Sequence, residues 1–381
     1  MRALARRAAA QPPVLPGYSY IRPLGSGGFA DVFLYEQDMP RRVVAVKVLV
    51  DDAVNPDVLR TFNAETDILA RLSAHPSIVT IHQASISADG RPYFVMEYCP
   101  DGMGTRYKKA PLEVPEVLDV GVRVAAALET AHRTGLLHRD IKPSNVLLTS
   151  MGAPALADFG IAAAISRSDE APEVFAMSIP WSAPEVLQGD VTGSIASEVW
   201  SLGATLYTLL AGRAPFELPS GERIPRDQLQ ARILRSKYVP TGREDLGERL
   251  EKALVRAHQK KPGDRFESMT AFADELRWAQ YELGLPPTAF DVVDSSWASA
   301  AVPVDFDQES SRGPVISTVN RDSRRAERAK ALASAQRIQA ERATESPARR
   351  SSVKAGAIGV AVGAVGVATL TLAALFATGV L

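Results

Sequence analysis

Four residues, Gly25-Ser26-Gly27-Gly28, constrain this chain more than any other short stretch. They sit in "YSYIRPLGSGGFADVFLYEQ", where both flanks, Tyr18–Leu24 and Asp31–Tyr35, read as strands. A dinucleotide-binding loop would follow a strand and open a helix, and a Walker loop would need Gly-Lys-Ser/Thr. Neither context is present. The pattern predicts a glycine hairpin, and with it an antiparallel sheet. Such a hairpin is either an ordinary tight turn or a cover of backbone N–H groups for phosphates.

The next strand, "RVVAVKVLV", is apolar except for Lys47. A buried lysine needs an anion. The stretch "NPDVLRTFNAETDILARL" opens with an Asn55 cap and Pro56, and reads as a helix with Val58, Phe62, Glu65, Leu69 and Leu72 inward. Glu65 thus falls on an apolar face and is the natural partner of Lys47, unless Lys47 snorkels and Glu65 stays half-exposed. A further strand, "RPYFVMEYCPDG", breaks at Pro100 and suggests a hinge between two lobes. Cys99, in that hinge, is the only cysteine, which excludes an intramolecular disulfide and suits a reducing compartment.

Beyond the hinge, "EVPEVLDVGVRVAAALETAHRTG" predicts a long helix with Val117, Val120, Val124 and Leu128 on one face and a stop at Gly135. It leads into "GLLHRDIKPSNVLL", which holds a histidine, an arginine, an acid, an amine and an amide within one short segment. "ALADFG", a polar loop, "SAPE" and the apolar helix "SEVWSLGATLYTLLAGRAPF" follow.

In this order the motifs resemble those of a eukaryotic-type protein kinase of the bacterial Ser/Thr class, over about residues 18–278. The set comprises the glycine hairpin, Val44-Ala45-Val46-Lys47, Glu65, His138-Arg139-Asp140, Asn145, Asp158-Phe159-Gly160, Ala183-Pro184-Glu185 and Arg265. One such motif is weak, but the ordered set is specific. The resemblance implies an α+β, two-lobed protein kinase fold, with an antiparallel N-lobe sheet plus one helix and a mostly helical C-lobe. It implies ATP with Mg2+, or Mn2+ in its place, as cofactors. Asp140 would orient the acceptor hydroxyl and take its proton, Lys142 would stand near the transferred phosphate, and Asn145 and Asp158 would hold the metal. Lys47, held by Glu65, would grip the α- and β-phosphates. The hairpin residues Gly25, Ser26, Gly27, Gly28, Phe29, Ala30 and Asp31 would cover the nucleotide. Leu24, Val32, Ala45 and Leu147 would sandwich the adenine, with Met96 behind it and Glu97 to Cys99 offering hinge backbone groups. Lys142 is the Ser/Thr pattern, where tyrosine kinases resemble "HRDLAARN". Glu185 and Arg265 would form a structural ion pair.

Four departures from the family pattern stand out. Ala30 replaces the third loop glycine, which narrows backbone freedom without blocking ATP. Glu198 replaces an aspartate that anchors the backbone around His138 and Arg139, and its extra methylene would loosen that anchor. Met177-Ser178 replaces Gly-Thr, while Ser178 keeps a hydroxyl able to bridge Asp140 and Lys142. No threonine lies between Asp158 and Glu185. The anion for Arg139 would then be phosphoserine at Ser166 or Ser168, or a built-in carboxylate from Asp169, Glu170 or Glu173, unless the loop is simply solvated.

The ends differ from the middle. Residues 1–16 read as a disordered leader, 17–283 as the kinase domain and 284–354 as a juxtamembrane linker. The linker carries ten Lys or Arg against four Asp or Glu between Arg321 and Lys354. Ala355 to Leu381 is a 27-residue run without a charge, long enough for a transmembrane helix. It ends the sequence, as a tail anchor or as the start of something longer. The basic tract before it puts the kinase domain in the cytoplasm, on a single-pass anchor in the cell membrane. Gly359 and Gly363 form a small-xxx-small pair of the kind common in Gly- and Ala-rich spans. The net charge of -1 gives no pull toward nucleic acid. The expected partners are proteins with Ser/Thr acceptors, the inner membrane surface, and a second copy for trans-autophosphorylation. The competing readings are a catalytically weak, pseudokinase-like ATP-binding scaffold and a small-molecule phosphotransferase.

Overall fold

A computed structural model describes residues 11–27, 30–50, 66, 69–159 and 174–293. Gly28, Phe29, Glu65, the loop with Ser166 and Ser168, most of the linker and the run from Ala355 lie outside the described residues.

The first sheet contains β1 (Tyr18–Ser26), β2 (Ala30–Asp38), β3 (Arg41–Leu49), β4 (Ile81–Ile86) and β5 (Pro92–Glu97). It is antiparallel throughout, in the order β1-β2-β3-β5-β4. The glycine stretch is the predicted hairpin: Ser26 pairs with Asp31, and the Gly27 amide donates to the Ala30 carbonyl at 2.8 Å.

β3 is buried along most of its length because both of its faces are covered, as its unbroken apolar run requires. Side chains alternate along a strand. Val44, Val46 and Val48 join Phe33, Tyr35, Tyr93 and Val95 on the outer face. Ala45 and Leu49 join the main core on the inner face, which Lys47 shares by alternation.

The cover of the outer face is a finding that the sequence reading did not foresee. Residues expected to lie in a disordered leader pack there. Leu15 is buried in the outer cluster. Tyr35 donates its hydroxyl to the Pro13 carbonyl at 2.6 Å, and Arg91 reaches the Gln11 carbonyl at 3.0 Å. The physical reason is the sheet itself: an apolar outer face needs a lid, and the nearest chain supplies it.

β6 (Asp101–Gly102), β7 (Val146–Leu148) and β8 (Pro154–Leu156) form a small second sheet. Among the described residues beyond β5, the helices are α1 (Met103–Lys109), α2 (Val114–Arg133), the short α3 (Pro184–Leu187), α4 (Ile195–Ala211), α5 (Arg226–Arg235), α6 (Glu248–Ala257) and α7 (Met269–Glu282). The predicted face of α2 is buried, but so are Leu118, Val122 and Ala125, so this helix is the axis of the helical lobe. α4 starts on a Ser194–Ser197 capping box and stops at Gly212, whose φ of 69 favours glycine. Trp200 on α4 stacks on Phe216 at 5.3 Å and organises a separate cluster under α5. Among the described residues, no helix is long and apolar enough to cross a membrane.

The packed body also runs past residue 283, where the linker was expected to begin. Leu285 and Phe290 lie against the core, and Thr288 is buried.

Candidate active site

The segment from Gly135 to Leu148 connects α2 to β7. Gly135, at φ 80, turns the chain out of the helix. His138 is buried; its Nε2 faces the Ala157 carbonyl at 2.8 Å and its Nδ1 accepts the Asp140 amide at 3.2 Å. The proton therefore sits on Nε2. Arg139 has φ 67, a left-handed conformation that costs a non-glycine residue on the order of 1 kcal/mol. The Glu198 carboxylate holds it there by accepting the Arg139 amide at 2.6 Å. The extra methylene of Glu198 does not loosen this anchor. Its second oxygen meets His132 Nε2 at 2.6 Å, so the longer side chain ties α2 to the same loop. His132 was not singled out in the sequence, because nothing local marks it as the partner of a residue on α4.

Asp140 is the hub. Its Oδ2 accepts from Lys142 Nζ at 2.6 Å and from Asn145 Nδ2 at 3.0 Å. Its Oδ1 accepts from the Ser178 hydroxyl at 2.5 Å, and Lys142 also reaches that hydroxyl at 3.0 Å. Asn145 donates to the Asp140 carbonyl as well, at 2.8 Å. A short 3₁₀ turn, Pro143–Asn145, folds these side chains together. Ser178, from the segment Val174–Trp181, bridges Asp140 and Lys142 as its hydroxyl allows.

Asp158 follows β8 and is the second residue here with left-handed backbone, at φ 68. Its Oδ1 accepts from Lys47 Nζ at 2.6 Å. Burial pushes the Asp158 carboxyl up, but the Lys47 ammonium against it, helped by His138 and Lys142, prevails and holds it below the ordinary value. It is therefore an anion at neutral pH. Lys47 is buried and finds its anion in Asp158; Glu65, the partner expected from the sequence, lies outside the described residues. The next residue, Phe159, is buried against the His138 ring at 4.6 Å between centroids.

The residues expected around adenine share one apolar cluster. Ala45 and Met96 are buried in it, with Leu24, Val32, Cys99 and Leu147 partly buried alongside. Burial, then the nearby Glu97 charge, pushes the Cys99 thiol up to about 12, so it acts as a small apolar group. The Glu97 amide is spent on the Thr80 carbonyl at 2.9 Å. Gly25, Ser26 and Gly27 form the β1 side of the hairpin, and Asp31 is buried at the start of β2. Ala30, in place of the third loop glycine, is buried and belongs to the core cluster.

Away from this centre, Arg265 forms a bidentate pair with Glu185, at 2.7 and 2.8 Å. Its other N–H groups reach the carbonyls of Gln259, Ala196 and Lys260. The guanidinium also lies over the Trp200 ring, 4.9 Å from the centroid.

A family model described as "Protein kinase domain" matches residues 18–276. Serine/threonine-protein kinase PknK of Mycobacterium tuberculosis is 41% identical over 272 residues, covering 71% of this chain and 24% of that protein. Serine/threonine-protein kinase PrkC of Bacillus subtilis is 31% identical over 297 residues, covering 77% of this chain and 45% of its own length. This chain thus spans less than half the length of either. The crystal structure of the Mycobacterium tuberculosis PknI kinase domain superposes with a TM-score of 0.50 at 31% identity, covering 73% of this chain and all of that one. The chain belongs to the protein kinase family, and its kinase domain is of the bacterial serine/threonine class.

Proposed function

We propose that this chain transfers the γ-phosphate of Mg-ATP to serine and threonine hydroxyls of proteins, its own included, from the inner face of a membrane. The observation that carries the reading is the Asp140 hub, bonded to Lys142, Asn145 and Ser178 and set beside the Lys47–Asp158 pair. Phosphoryl transfer asks a protein mainly for positioning and charge neutralisation. Asp140 orients the incoming hydroxyl and accepts its proton. Lys142 faces the phosphate in transit. Lys47 is placed to exchange part of its contact with Asp158 for phosphate oxygens. The apolar cluster from Leu24 to Leu147 holds the adenine, with the Glu97 carbonyl and the Cys99 backbone facing its edge.

The donor set suits a hard divalent cation. Asn145 spends its Nδ2 on Asp140, its Oδ1 has only a long 3.5 Å contact from the Ser144 hydroxyl and could turn to a metal, and Asp158 would add carboxylate oxygens. Among the described residues no group of three or more His, Cys, Asp or Glu could hold a metal alone, so phosphate oxygens would complete the shell. A Mg2+ or Mn2+ ion held there would neutralise phosphate charge.

The test is transfer of radiolabelled phosphate from ATP to a generic protein substrate, followed by phosphoamino-acid analysis. Label on serine or threonine, lost in Asp158→Ala, supports the proposal. Mg-ATP binding without transfer would make the chain a nucleotide-binding scaffold instead.

The membrane part rests on the charge-free run Ala355–Leu381 and the basic tract before it. Deleting residues 355–381 is expected to move the protein from the membrane to the soluble fraction with activity intact. A truncated protein still in the membrane at high salt would refute the anchor, since salt releases a basic tract from anionic lipid.

A further inference from the structure

The segment that continues α7 is an extended strap along α2. Gly284, at φ 71, reverses the chain, and the Leu285 amide returns to the Gln280 carbonyl at 2.9 Å. Thr288 is then fixed three ways. Its amide donates to Gln280 Oε1 at 2.8 Å, its hydroxyl accepts from Gln280 Nε2 at 2.7 Å, and that hydroxyl donates to Asp119 Oδ1 at 3.0 Å. Farther on, the Val293 amide donates to Thr130 Oγ1 at 3.3 Å. Asp119 and Thr130 are both on α2, and the helical rise separates them by about 16 Å. Thr288 and Val293 thus tie the strap to α2 at two places about three turns apart.

Between those anchors the strap touches the other lobe. His75 Nε2 meets the Asp291 carbonyl at 2.6 Å. The Nδ1 of the same ring accepts the Ser77 amide at 3.0 Å, so the proton sits on Nε2 and is donated to the strap. His75 is buried, which lowers its pKa and keeps the ring neutral. The loop it organises is welded to β8. The Ser77 carbonyl accepts the Leu156 amide at 2.9 Å, and the Val79 amide donates to the Leu156 carbonyl at 3.0 Å. Two residues after Leu156 stands Asp158. The intervening Ala157 donates to the Asn145 carbonyl at 2.8 Å and accepts from His138 at 2.8 Å.

We propose that His75 and the strap Leu285–Val293 are positioning elements for phosphoryl transfer: together they set the loop that holds β8, and through β8 the placement of Asp158 and Asn145. The strap is thus a working part of the catalytic domain, at the point where the chain leaves for its linker. This rests on the kinase reading above.

The test uses the full chain and two variants. His75→Asn keeps an acceptor near the Nδ1 position for the Ser77 amide but falls short of Asp291. Thr288→Val keeps the shape but removes the hydroxyl from Gln280 and Asp119, far from the nucleotide. Hydrogen exchange of residues 285–293, Mg-ATP affinity, kcat and KM are measured for each. Both variants should exchange faster in the strap. Both should lose about three- to tenfold in Mg-ATP affinity and kcat/KM, the worth of one hydrogen bond, while KM for the protein substrate holds. Faster strap exchange with affinity and kcat/KM within twofold of wild type would overturn the proposal, and so would unchanged exchange. If the wild type itself transfers no phosphate, the proposed function fails, and the strap is still judged by Mg-ATP affinity.

Discussion

Asp140→Asn is expected to lower kcat by about 10²- to 10⁴-fold, the range associated with a positioned general base, with Mg-ATP affinity unchanged. The contacts of Asp140 make this substitution clean. Its Oδ2 side faces two donors, Lys142 and Asn145, while its Oδ1 side faces the Ser178 hydroxyl, which can also accept. The introduced amide can therefore turn its oxygen toward Lys142 and Asn145 and its NH₂ toward Ser178. Geometry survives, and what disappears is the carboxylate able to take a proton. Single-turnover kinetics and nucleotide titration check both halves. Wild-type turnover would remove Asp140 from the chemistry, and a parallel loss of ATP affinity would mean that it holds the nucleotide site instead.

Arg265→Ala should be the most damaging substitution for stability. Truncation strands a buried Glu185 carboxylate and three backbone carbonyls that the guanidinium now satisfies. Breaking a buried pair from one side costs about 3–5 kcal/mol, a fall in Tm of roughly 6–20 °C for a domain of this size. Replacing both partners, as Glu185→Met/Arg265→Met, should cost less, because no charge is left behind. Thermal unfolding of the two variants decides. A single variant that melts within 2–3 °C of wild type, about 1 kcal/mol, would show that the carboxylate finds water or another cation.

The centre of the site was legible because its chemistry is concentrated in one segment. Asp140, Lys142 and Asn145 are so close in sequence that any compact turn brings them together, and the structure supplies a 3₁₀ turn. The sheet was legible for a similar reason: glycine between two apolar flanks reads as a hairpin. What escaped were contacts in which one partner is a backbone carbonyl. Tyr35 to Pro13, Arg91 to Gln11 and His75 to Asp291 all end on a group that every residue carries, so the sequence at 11–15 or 288–293 gives no sign of them. By sequence alone, the leader and the strap therefore look like loose ends. The run of apolar residues in β3 was the available clue for the leader, since a strand covered on both faces implies a cover. Glu198 departs visibly from the family pattern, but its consequence is not local, because the methylene is accommodated by His132, 66 residues earlier.

The Glu185–Arg265 pair also sets a clock on biosynthesis. Its two halves lie 80 residues apart. At about 5–20 residues per second, the ribosome needs roughly 4–16 s after making Glu185 to deliver its cation. During that interval the Glu185 carboxylate and the Ala196 carbonyl, at the start of α4, lack the guanidinium that joins them in the finished lobe. This brace between α3 and the approach to α7 can therefore form only once nearly the whole domain has been translated.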